Sequence, residues 1–283
     1  MKKILILITE KEKFLGSFLS AAKKLKINFD IHFYSEVSIE YKENKLVIRV
    51  DEKDLKNYDL IFFRTIGSFV EIATLISEYC LEHKIKIIDP VFQYHGPYID
   101  RKSFEYIRLI DNKLPIIDSW FVSLEELNTL EEKIIYPCVV KKTDLNRGEG
   151  VFLCKNKKEL RKIFIKIKGL LLIQKYIKAD KDFRLLVIGN EVIGSIERSL
   201  IFRTDHSVYE TNAYHPSKQE KKIAVRAAQA LGYSIAGVDL IFDSKNKKWK
   251  ILEVNRAPVF KRVAEKNNIN VSEKIIKFLK DQI

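Results

Sequence analysis

The feature that most constrains the fold of this chain is a regular alternation of short apolar runs with helical patterns over roughly its first 90 residues. Four of these runs have the length and composition of β-strands: Lys3–Ile8, Asn28–Tyr34, Asp59–Phe63 and Lys86–Ile88. Helical patterns separate them, from about Lys11 to Leu25 and over Gly67–His83. Because parallel strands need long crossover connections, the alternation predicts a small parallel α/β domain.

Two loops of this domain are candidate ligand sites, because ligands of parallel sheets bind beyond the carboxyl ends of the strands. Arg64 begins the loop that follows the third predicted strand, and it is a candidate substrate residue. The Pro90–Pro97 loop follows the fourth strand, and Tyr94–Tyr98 supplies further candidates there.

From about Pro97 the pattern changes to one rich in antiparallel hairpins. The predicted helices are Lys102–Ile110, Asn156–Lys166, Ser217–Leu231 and Val271–Lys280. The predicted strand pairs of the whole chain are Ser38–Tyr41 with Leu46–Val50 around Glu43-Asn44, Ile134–Lys142 with Val151–Lys155, Phe183–Ile188 with Glu191–Glu197, and Val238–Phe242 with Trp249–Val254. Leu170–Gln174 is a further strand. The second part of the chain is therefore predicted to be α+β.

Composition narrows the class of function. The 51 Lys+Arg and 38 Asp+Glu residues give a net charge of +13, but lysine is dispersed over every segment, which disfavours a nucleic-acid-binding stripe. Nowhere do eighteen apolar residues run together, and the apolar stretch after Met1 is too short for a signal-peptide core. Cys80, Cys138 and Cys154 are typical of small buried side chains rather than of a disulfide framework or a zinc site. We therefore expect a cytoplasmic protein without a membrane segment.

The last hairpin carries the strongest chemical signal. If its turn is centred near Asn246, Asp239 lies directly opposite Glu253, and Asn255 projects from the same face two residues further along. Three oxygen ligands between apolar strands are what Mg²⁺ prefers, because paired buried carboxylates need a positive charge between them. The alternative is that both carboxylates lie at a sheet edge and face water.

A second signal is the segment 136–151, in which a β-branched strand leads through Lys141 to a polar loop with Gly148 and Gly150. Glycines let backbone N–H groups approach phosphates, and lysine supplies a point charge. The alternative is a plain hairpin loop.

The third signal is the segment 170–189, in which a buried strand ends at Gln174 and a polar connection reaches Asp182 and Arg184. Arg184 and Arg198 lie on neighbouring strands, and both suit bidentate binding of carboxylate or phosphate. The alternative is a pair of surface arginines.

Taken together and in this order, these segments resemble the ATP-grasp superfamily, most closely its ribosomal-protein glutamate ligases and amino-group-carrier-protein ligases, with glutathione synthetase more distant. The resemblance covers nearly the whole chain. It implies a pre-ATP-grasp α/β domain over residues 1–96 and a two-lobed ATP-grasp fold after it. The linker and the small lobe with the glycine loop would span residues 97–177, and the C-terminal lobe with the magnesium site residues 178–283.

The resemblance also implies a role for each candidate residue. The ATP-binding set is Lys102 and Lys141 for the phosphates, Gly148 and Gly150 for the loop over the γ-phosphate, Gln174, Tyr176 and Ile177 for adenine, and Asp182 near the ribose. Asp239, Glu253 and Asn255 match the ligands of Mg²⁺ or Mn²⁺. Arg184 and Arg198 match catalytic arginines that bind phosphate or the acyl substrate, and Asn212 matches a substrate-loop asparagine.

The implied function is an ATP-dependent carboxylate–amine ligase that works through an acylphosphate and releases ADP and phosphate. The substrates would be ATP, a carboxylate and an amine, on an amino acid, a peptide or a protein tail that the positive charge predicts to be acidic. Alternatives left open are a nucleotide-binding regulatory or structural protein without ligase activity and a basic nucleic-acid-binding protein. Whether the chain forms a homo-oligomer is also left open.

Three departures from the family pattern affect the substrate side. Lys175 stands in the hinge where an acidic residue is usual, and the loop around Asn212 lacks the paired glycines that normally follow. Arg256 follows Asn255 where the family usually has small residues. Arg256 either binds an anionic substrate or is a structural substitution.

Overall fold

The structure is a computed structural model that describes residues 2–9, 15–42, 45–90, 92, 102–142, 150–167, 170–199 and 210–283. The predicted Glu43-Asn44 turn, Gly148 and the loop candidates Tyr94–Tyr98 lie outside these residues.

A four-stranded parallel sheet forms the centre of the N-terminal region. Its strands are β1 (Lys3–Ile8), β2 (Asn28–Phe33), β6 (Leu60–Phe63) and β7 (Lys86–Ile88), in the order β2-β1-β6-β7. The helices of this region are α1 (Leu15–Lys24) and α2 (Val70–Glu82). All three strand pairs are parallel, and β6 is buried along its whole length, as its unbroken apolar sequence predicts. The predicted parallel α/β arrangement is confirmed.

The predicted hairpin excursion is also confirmed. A small antiparallel sheet contains β3 (Val37–Lys42), β4 (Lys45–Val50) and β5 (Lys53–Asp54). A short 3-10 turn at Tyr34–Glu36 connects it to the parallel sheet.

A second antiparallel sheet with a core of its own follows. Its strands are β8 (Ser119–Val122), β9 (Cys138–Lys142), β10 (Val151–Cys154) and β11 (Leu171–Lys175), in the order β10-β9-β11-β8, with helices α4 (Leu124–Leu130) and α5 (Lys157–Lys166). Asn156 caps α5 by accepting from the Glu159 backbone N–H. Cys138 and Cys154 are directly opposite each other and fully buried, as their apolar surroundings predict.

The C-terminal sheet is five-stranded and antiparallel. It contains β12 (Lys181–Ile188), β13 (Glu191–Ser199), β14 (Thr211–Ala213), β15 (Ile235–Asp243) and β16 (Lys248–Asn255), in the order β14-β13-β12-β15-β16. The remaining helices are α3 (Lys102–Asp111), α6 (Lys218–Leu231), α7 (Lys261–Asn267) and α8 (Val271–Lys280). A capping box of Ser217 and Glu220 starts α6, and Gly232 ends it in the left-handed conformation.

The N-terminal and C-terminal sheets share their cores. Buried side chains of β1 and β6 belong to the same apolar cluster as those of β12, β15 and α6, while a second cluster joins β1 to α7 and α8. The carboxyl edge of the parallel sheet is thereby brought against the C-terminal sheet. None of the helices in the described ranges is both long and apolar enough to cross a membrane.

Candidate functional site

Charged side chains of both signs form one row across the C-terminal sheet, and the register of the strands places them there. Arg198 of β13 lies opposite Asp182 of β12, Arg184 of β12 opposite Asp239 of β15, and Asp239 opposite Glu253 of β16. Residues two apart on a strand share a face, so Asp182 and Arg184 project to the same side of the sheet. Two signals that are separate in the sequence, the arginines and the carboxylates, thus form one site.

The predicted pairing of Asp239 with Glu253 is confirmed, although its assumed turn centre is wrong by half a residue. Near the turn Asp243 faces Lys248, a register that would place Leu252 opposite Asp239. A register shift between Asp239 and Leu240 adds one residue to β16 and brings Glu253 opposite Asp239 instead. The bulge is therefore the reason that the carboxylates of Asp239 and Glu253 face each other.

Asp239 is the most tightly held residue of the row. Its Oδ1 accepts from Arg184 Nε at 2.7 Å, and its Oδ2 accepts from Arg184 Nη2 at 2.7 Å and lies 2.9 Å from Arg198 Nη2. Burial alone would raise the pKa of Asp239, but the two guanidinium groups outweigh it and hold that pKa well below its ordinary value. Asp239 is therefore a permanent anion that organises both arginines.

Arg198 bridges two carboxylates. Besides Asp239 it binds Asp182 bidentately, with Nε at 2.7 Å from Oδ1 and Nη2 at 2.6 Å from Oδ2. The side chains of Arg184 and Arg198 are only 19% and 17% exposed, which disfavours the alternative of two surface arginines. Asp182, which the resemblance assigns to the ribose, is engaged by Arg198 here.

Lys102 and Lys141 reach the same row from different elements and in different electrostatic states. Lys102, at the start of α3, lies 2.8 Å from Glu253 Oε1 and 3.3 Å from Glu105 Oε2. Burial would lower the pKa of Lys102, but Glu105 and Glu253 raise it above its ordinary value. Burial lowers the pKa of Lys141, at the end of β9, to about 8; Lys102 adds to this effect, while Glu253 and Asp239 oppose it.

Of the two loop glycines, only Gly150 lies within the described residues. Its φ is 76°, a conformation that glycine adopts without strain, and its carbonyl accepts from the Lys142 N–H at 3.1 Å. The proposed phosphate loop itself stays a prediction.

The segment that the resemblance assigns to the adenine-binding hinge runs from β11 into β12. Gln174 is 1% exposed, and its Nε2 donates to the Tyr106 hydroxyl, so its side chain is used inside the protein. Tyr176 and Ile177 follow in the half-buried connection, where their backbone remains a candidate for adenine. Lys175 points to Asp118 at 3.6 Å.

The two arginines that sequence reasoning assigns to substrate lie in the contact between the N-terminal and C-terminal sheets. Arg64 is 3% exposed and donates from Nη2 to the Pro258 carbonyl at 3.0 Å. Arg256 is 5% exposed, donates to the Phe63 carbonyl at 2.6 Å and lies 3.7 Å from Asp89. These contacts support the structural alternative for Arg256. Asn212 is exposed on β14 and lies 3.4 Å from Glu197.

Sequence reasoning missed Glu105, which is buried beside Lys102 at 6% exposure. Its position three residues after Lys102 on a helix was an available signal, because such residues share a helix face.

The donor chemistry of the row fits a magnesium ion. Asp239, Glu253 and the Asn255 amide offer oxygen ligands, and the Glu253 side chain is 37% exposed and accessible. Asn255 lies opposite Gly237, and its buried Nδ2 has no hydrogen-bond partner among the described residues. Within the same residues no three His, Cys, Asp or Glu side chains cluster suitably for a metal, so the amide and the oxygens of a ligand would have to complete the site.

Comparisons with known proteins found a matching family model and related sequences. Residues 112–279 match the family described as the RimK-like ATP-grasp domain. A probable alpha-L-glutamate ligase 2 of Shewanella denitrificans is 30% identical over an alignment of 156 positions that covers 52% of this chain and 51% of that protein, so the match spans about half the length of that relative. A probable alpha-L-glutamate ligase of Coxiella burnetii is 26% identical over an alignment of 300 positions that covers 98% of this chain and 95% of that protein.

Two solved structures share the fold over almost all of the chain. The ATP-grasp ligase PsnB, complexed with a phosphomimetic variant of its minimal precursor, Mg and ADP, superposes with a TM-score of 0.74 at 17% identity, covering 100% of this chain and 99% of that one. A RimK domain ATP-grasp protein from Sphaerobacter thermophilus superposes with a TM-score of 0.71 at 15% identity, covering 98% of both chains. At such identities the likeness shows the fold, an α/β domain followed by an ATP-grasp fold.

Proposed function

This chain belongs to the RimK-like ATP-grasp family, and from that premise we propose that it is an ATP- and Mg²⁺-dependent ligase that joins a carboxylate to an amine. The observation that carries the proposal is the charge row, in which two arginines and a lysine hold two carboxylates that face each other across β15 and β16. Asp239 is only 3% exposed, which distinguishes the charge row from a network of ion pairs on the protein surface.

The lysines and arginines of the site would bind different parts of the substrates, the triphosphate and the acyl group. Lys102 and Lys141 come from different elements, α3 and β9, and would supply point charges to phosphate oxygens. The bidentate bond of Arg184 to Asp239 uses Nε and Nη2, and among the described residues its Nη1 makes no hydrogen bond, so Nη1 can turn to a substrate oxygen. Asp239, Glu253 and Asn255 would hold Mg²⁺, which when bound supplies charge neutralisation at phosphate oxygens.

The chemistry that these residues support is group transfer by positioning. A substrate carboxylate oxygen attacks the γ-phosphorus of ATP, the bond to the β,γ-bridging oxygen breaks, and ADP leaves. An amine then attacks the acylphosphate carbonyl, phosphate leaves and an amide forms. Fixed cations favour both steps because they need no reorganisation as negative charge moves.

The positive chain and the names of the relatives indicate which substrates to try first. With a net charge of +13, an acidic amine substrate is favoured over a basic one. The relatives are named as glutamate ligases, and PsnB is complexed with a precursor peptide, so glutamate and acidic peptides are the first amines and carboxylates to supply.

The test is ADP release by the purified protein with ATP, MgCl₂ and a matrix of carboxylates and amines, followed by mass spectrometry of the product. We expect sustained ADP release over many turnovers only when both substrates are present, because the acylphosphate formed from the carboxylate alone has no amine to react with. We also expect a loss of at least about 100-fold in Asp239→Ala and Glu253→Ala. Glu265→Ala is the control, because Glu265 is an exposed carboxylate paired with Lys261 on α7. ATP turnover that survives in both site variants would contradict the proposal.

A regulatory nucleotide-binding protein without ligation is the second candidate, and one observation favours it. Lys102 already holds Glu253 at 2.8 Å, so a metal ion has to displace a lysine to reach that carboxylate. Calorimetry separates the two: ATP binding without turnover on any substrate pair would favour the regulatory protein.

A further inference from the structure

Glu105 is a buried carboxylate that no expected role of the site accounts for. It lies on α3 and is 6% exposed, which is costly for a carboxylate unless it is paired and hydrogen-bonded. The two oxygens of Glu105 have different partners. Oε2 lies 3.3 Å from Lys102 Nζ, and Oε1 accepts from the Tyr233 hydroxyl at 3.1 Å.

Tyr233 is itself held rigidly where α6 ends. It is 4% exposed, and its backbone N–H donates to the Ala228 carbonyl at 2.9 Å, immediately after the left-handed Gly232. Arg108, one turn beyond Glu105 on α3, donates to the Ala230 carbonyl at 2.6 Å. Helix α3 is therefore fastened to the end of α6, and Glu105 is fixed in orientation by a residue from another element.

Lys102 is shared between Glu105 and Glu253, and the closer partner is Glu253 at 2.8 Å. In the proposed function Glu253 would bind Mg²⁺. Lys102 would then lose its shorter ion pair at the stage when it has to bind the triphosphate. A flexible lysine without a fixed partner samples many rotamers, and ordering it costs side-chain entropy.

We propose that Glu105 and Tyr233 are positioning residues that keep Lys102 aimed at the triphosphate after the metal has taken Glu253. This inference rests on the proposed function, because it requires Mg²⁺ and nucleotide to bind at Glu253. It adds a consequence of its own: without Glu105, Lys102 pairs with Glu253 alone and competes with the metal. Removal of Glu105 should therefore weaken the magnesium-dependent part of nucleotide binding selectively.

The chain contains a chemically matched control for this triad. In the N-terminal domain the Tyr58 hydroxyl donates to Asp30 at 2.7 Å, and Lys3 lies 2.8 Å from the same carboxylate. The Tyr58, Asp30 and Lys3 triad repeats the tyrosine–carboxylate–lysine arrangement in another part of the fold. Tyr58→Phe and Asp30→Asn therefore remove the same kinds of contact without touching the charge row.

The experiment measures AMPPNP binding by calorimetry over a titration of MgCl₂, with melting temperatures in parallel. For Glu105→Gln we expect affinity at saturating Mg²⁺ to fall about 10-fold and the half-saturating Mg²⁺ concentration to rise several-fold, as the loss of one charge-assisted hydrogen bond predicts. Affinity without Mg²⁺ should change less than about 3-fold. Tyr233→Phe, which keeps the carboxylate and guards against misfolding of the first variant, should shift both values the same way by less.

Two results would overturn the inference, and they are distinguishable. If both variants only lower the melting temperature, as Tyr58→Phe and Asp30→Asn should, with an unchanged Mg²⁺ titration, Glu105 is a packing residue and the proposed function stands. If the unaltered protein shows no magnesium-dependent binding of AMPPNP, the inference fails together with the proposed function.

Discussion

At the scale of single residues, Lys102 and Lys141 have opposite relations to the stability of the fold. Lys102 is paired with two carboxylates that raise its pKa, whereas burial lowers the pKa of Lys141 to about 8. The lowered pKa of Lys141 means that its charge costs folding stability, and under the proposed function the phosphates that it would bind explain why the lysine is kept.

We therefore predict that Lys141→Met raises the melting temperature by about 2–4 °C, whereas Lys102→Met lowers it by a similar amount. The first substitution removes an unfavourable, partly buried charge, and the second leaves Glu105 and Glu253 without their shared cation. Both should weaken AMPPNP binding. Calorimetric melting of the two variants checks the signs, and destabilisation of equal size in both would contradict this account.

The gain from Lys141→Met should also depend on pH. A lysine whose folded pKa is lowered to about 8 carries its unfavourable charge below that pH and sheds it as the pH rises through 8. The unaltered protein therefore gains stability between pH 8 and the ordinary lysine value of 10.5. We expect the melting-temperature difference between Lys141→Met and the unaltered protein to be full at pH 7 and to shrink by pH 9.5.

Residue pairs near in sequence were predictable, and distant ones were not. The facing of Asp239 and Glu253 followed from spacing within one hairpin, although a bulge rather than the assumed turn produces it. Glu105 also accepts from Tyr233, 128 residues later, and Arg256 donates to the carbonyl of Phe63, 193 residues earlier. No local pattern encodes such contacts, because tertiary packing creates them.

At the scale of elements, long periodic segments were predictable, whereas the short strands β8 and β14 were missed. The final helix was predicted as Val271–Lys280 and is observed with those bounds, since its apolar face repeats at helical spacing. Strands β8 and β14, with four and three residues, carry too few residues for alternation to be recognised. Their neighbours in the sheet, β11 and β13, impose their extended form.

The β15–β16 element is also constrained by a glycine. Gly237 lies directly opposite Asn255, and a Cβ at residue 237 would meet Pro258 at 2.9 Å and Arg184 Nε at 3.8 Å. We predict that Gly237→Ala displaces Pro258 and the Asn255 strand end, lowers the melting temperature by several degrees and weakens magnesium-dependent AMPPNP binding.

Gly16 is the matched control for that substitution. It lies in α1, and a Cβ there would meet nothing within 4 Å. Gly16→Ala should stabilise the protein by about 0.5–1 kcal/mol, since alanine loses less backbone entropy than glycine in a helix. Thermal melting of both variants gives opposite signs if close packing at Gly237 is the cause, and equal shifts would refute it.

At the scale of the whole molecule, two arginines exchange partners across the contact between the N-terminal and C-terminal sheets. Arg64 donates to the Pro258 carbonyl, and Arg256 donates to the Phe63 carbonyl. Each acceptor lies within two residues of the other arginine, so we call Arg64 and Arg256 the arginine clasp. The clasp joins the carboxyl edge of the parallel sheet to the segment that directly follows Asn255.

The last prediction concerns this clasp. Arg64→Met and Arg256→Met should each cost about 1.5–3 kcal/mol of unfolding free energy, as expected for buried hydrogen bonds from a charged group. Because both arginines act on the same short segments, the double variant should cost less than the sum of the two, with a coupling of about 0.5–3 kcal/mol.

Arg226→Met is the control for this cycle. Arg226 also donates to a backbone carbonyl, that of Asn112 at 2.8 Å, but at an exposed position where the cost should stay within about 0.5 kcal/mol. Denaturant unfolding of the four variants measures the cycle. Strictly additive losses of unfolding free energy would mean that the two arginines stabilise the contact between the sheets independently. If Arg256→Met lowered activity without lowering stability, the alternative that Arg256 binds substrate would be supported instead.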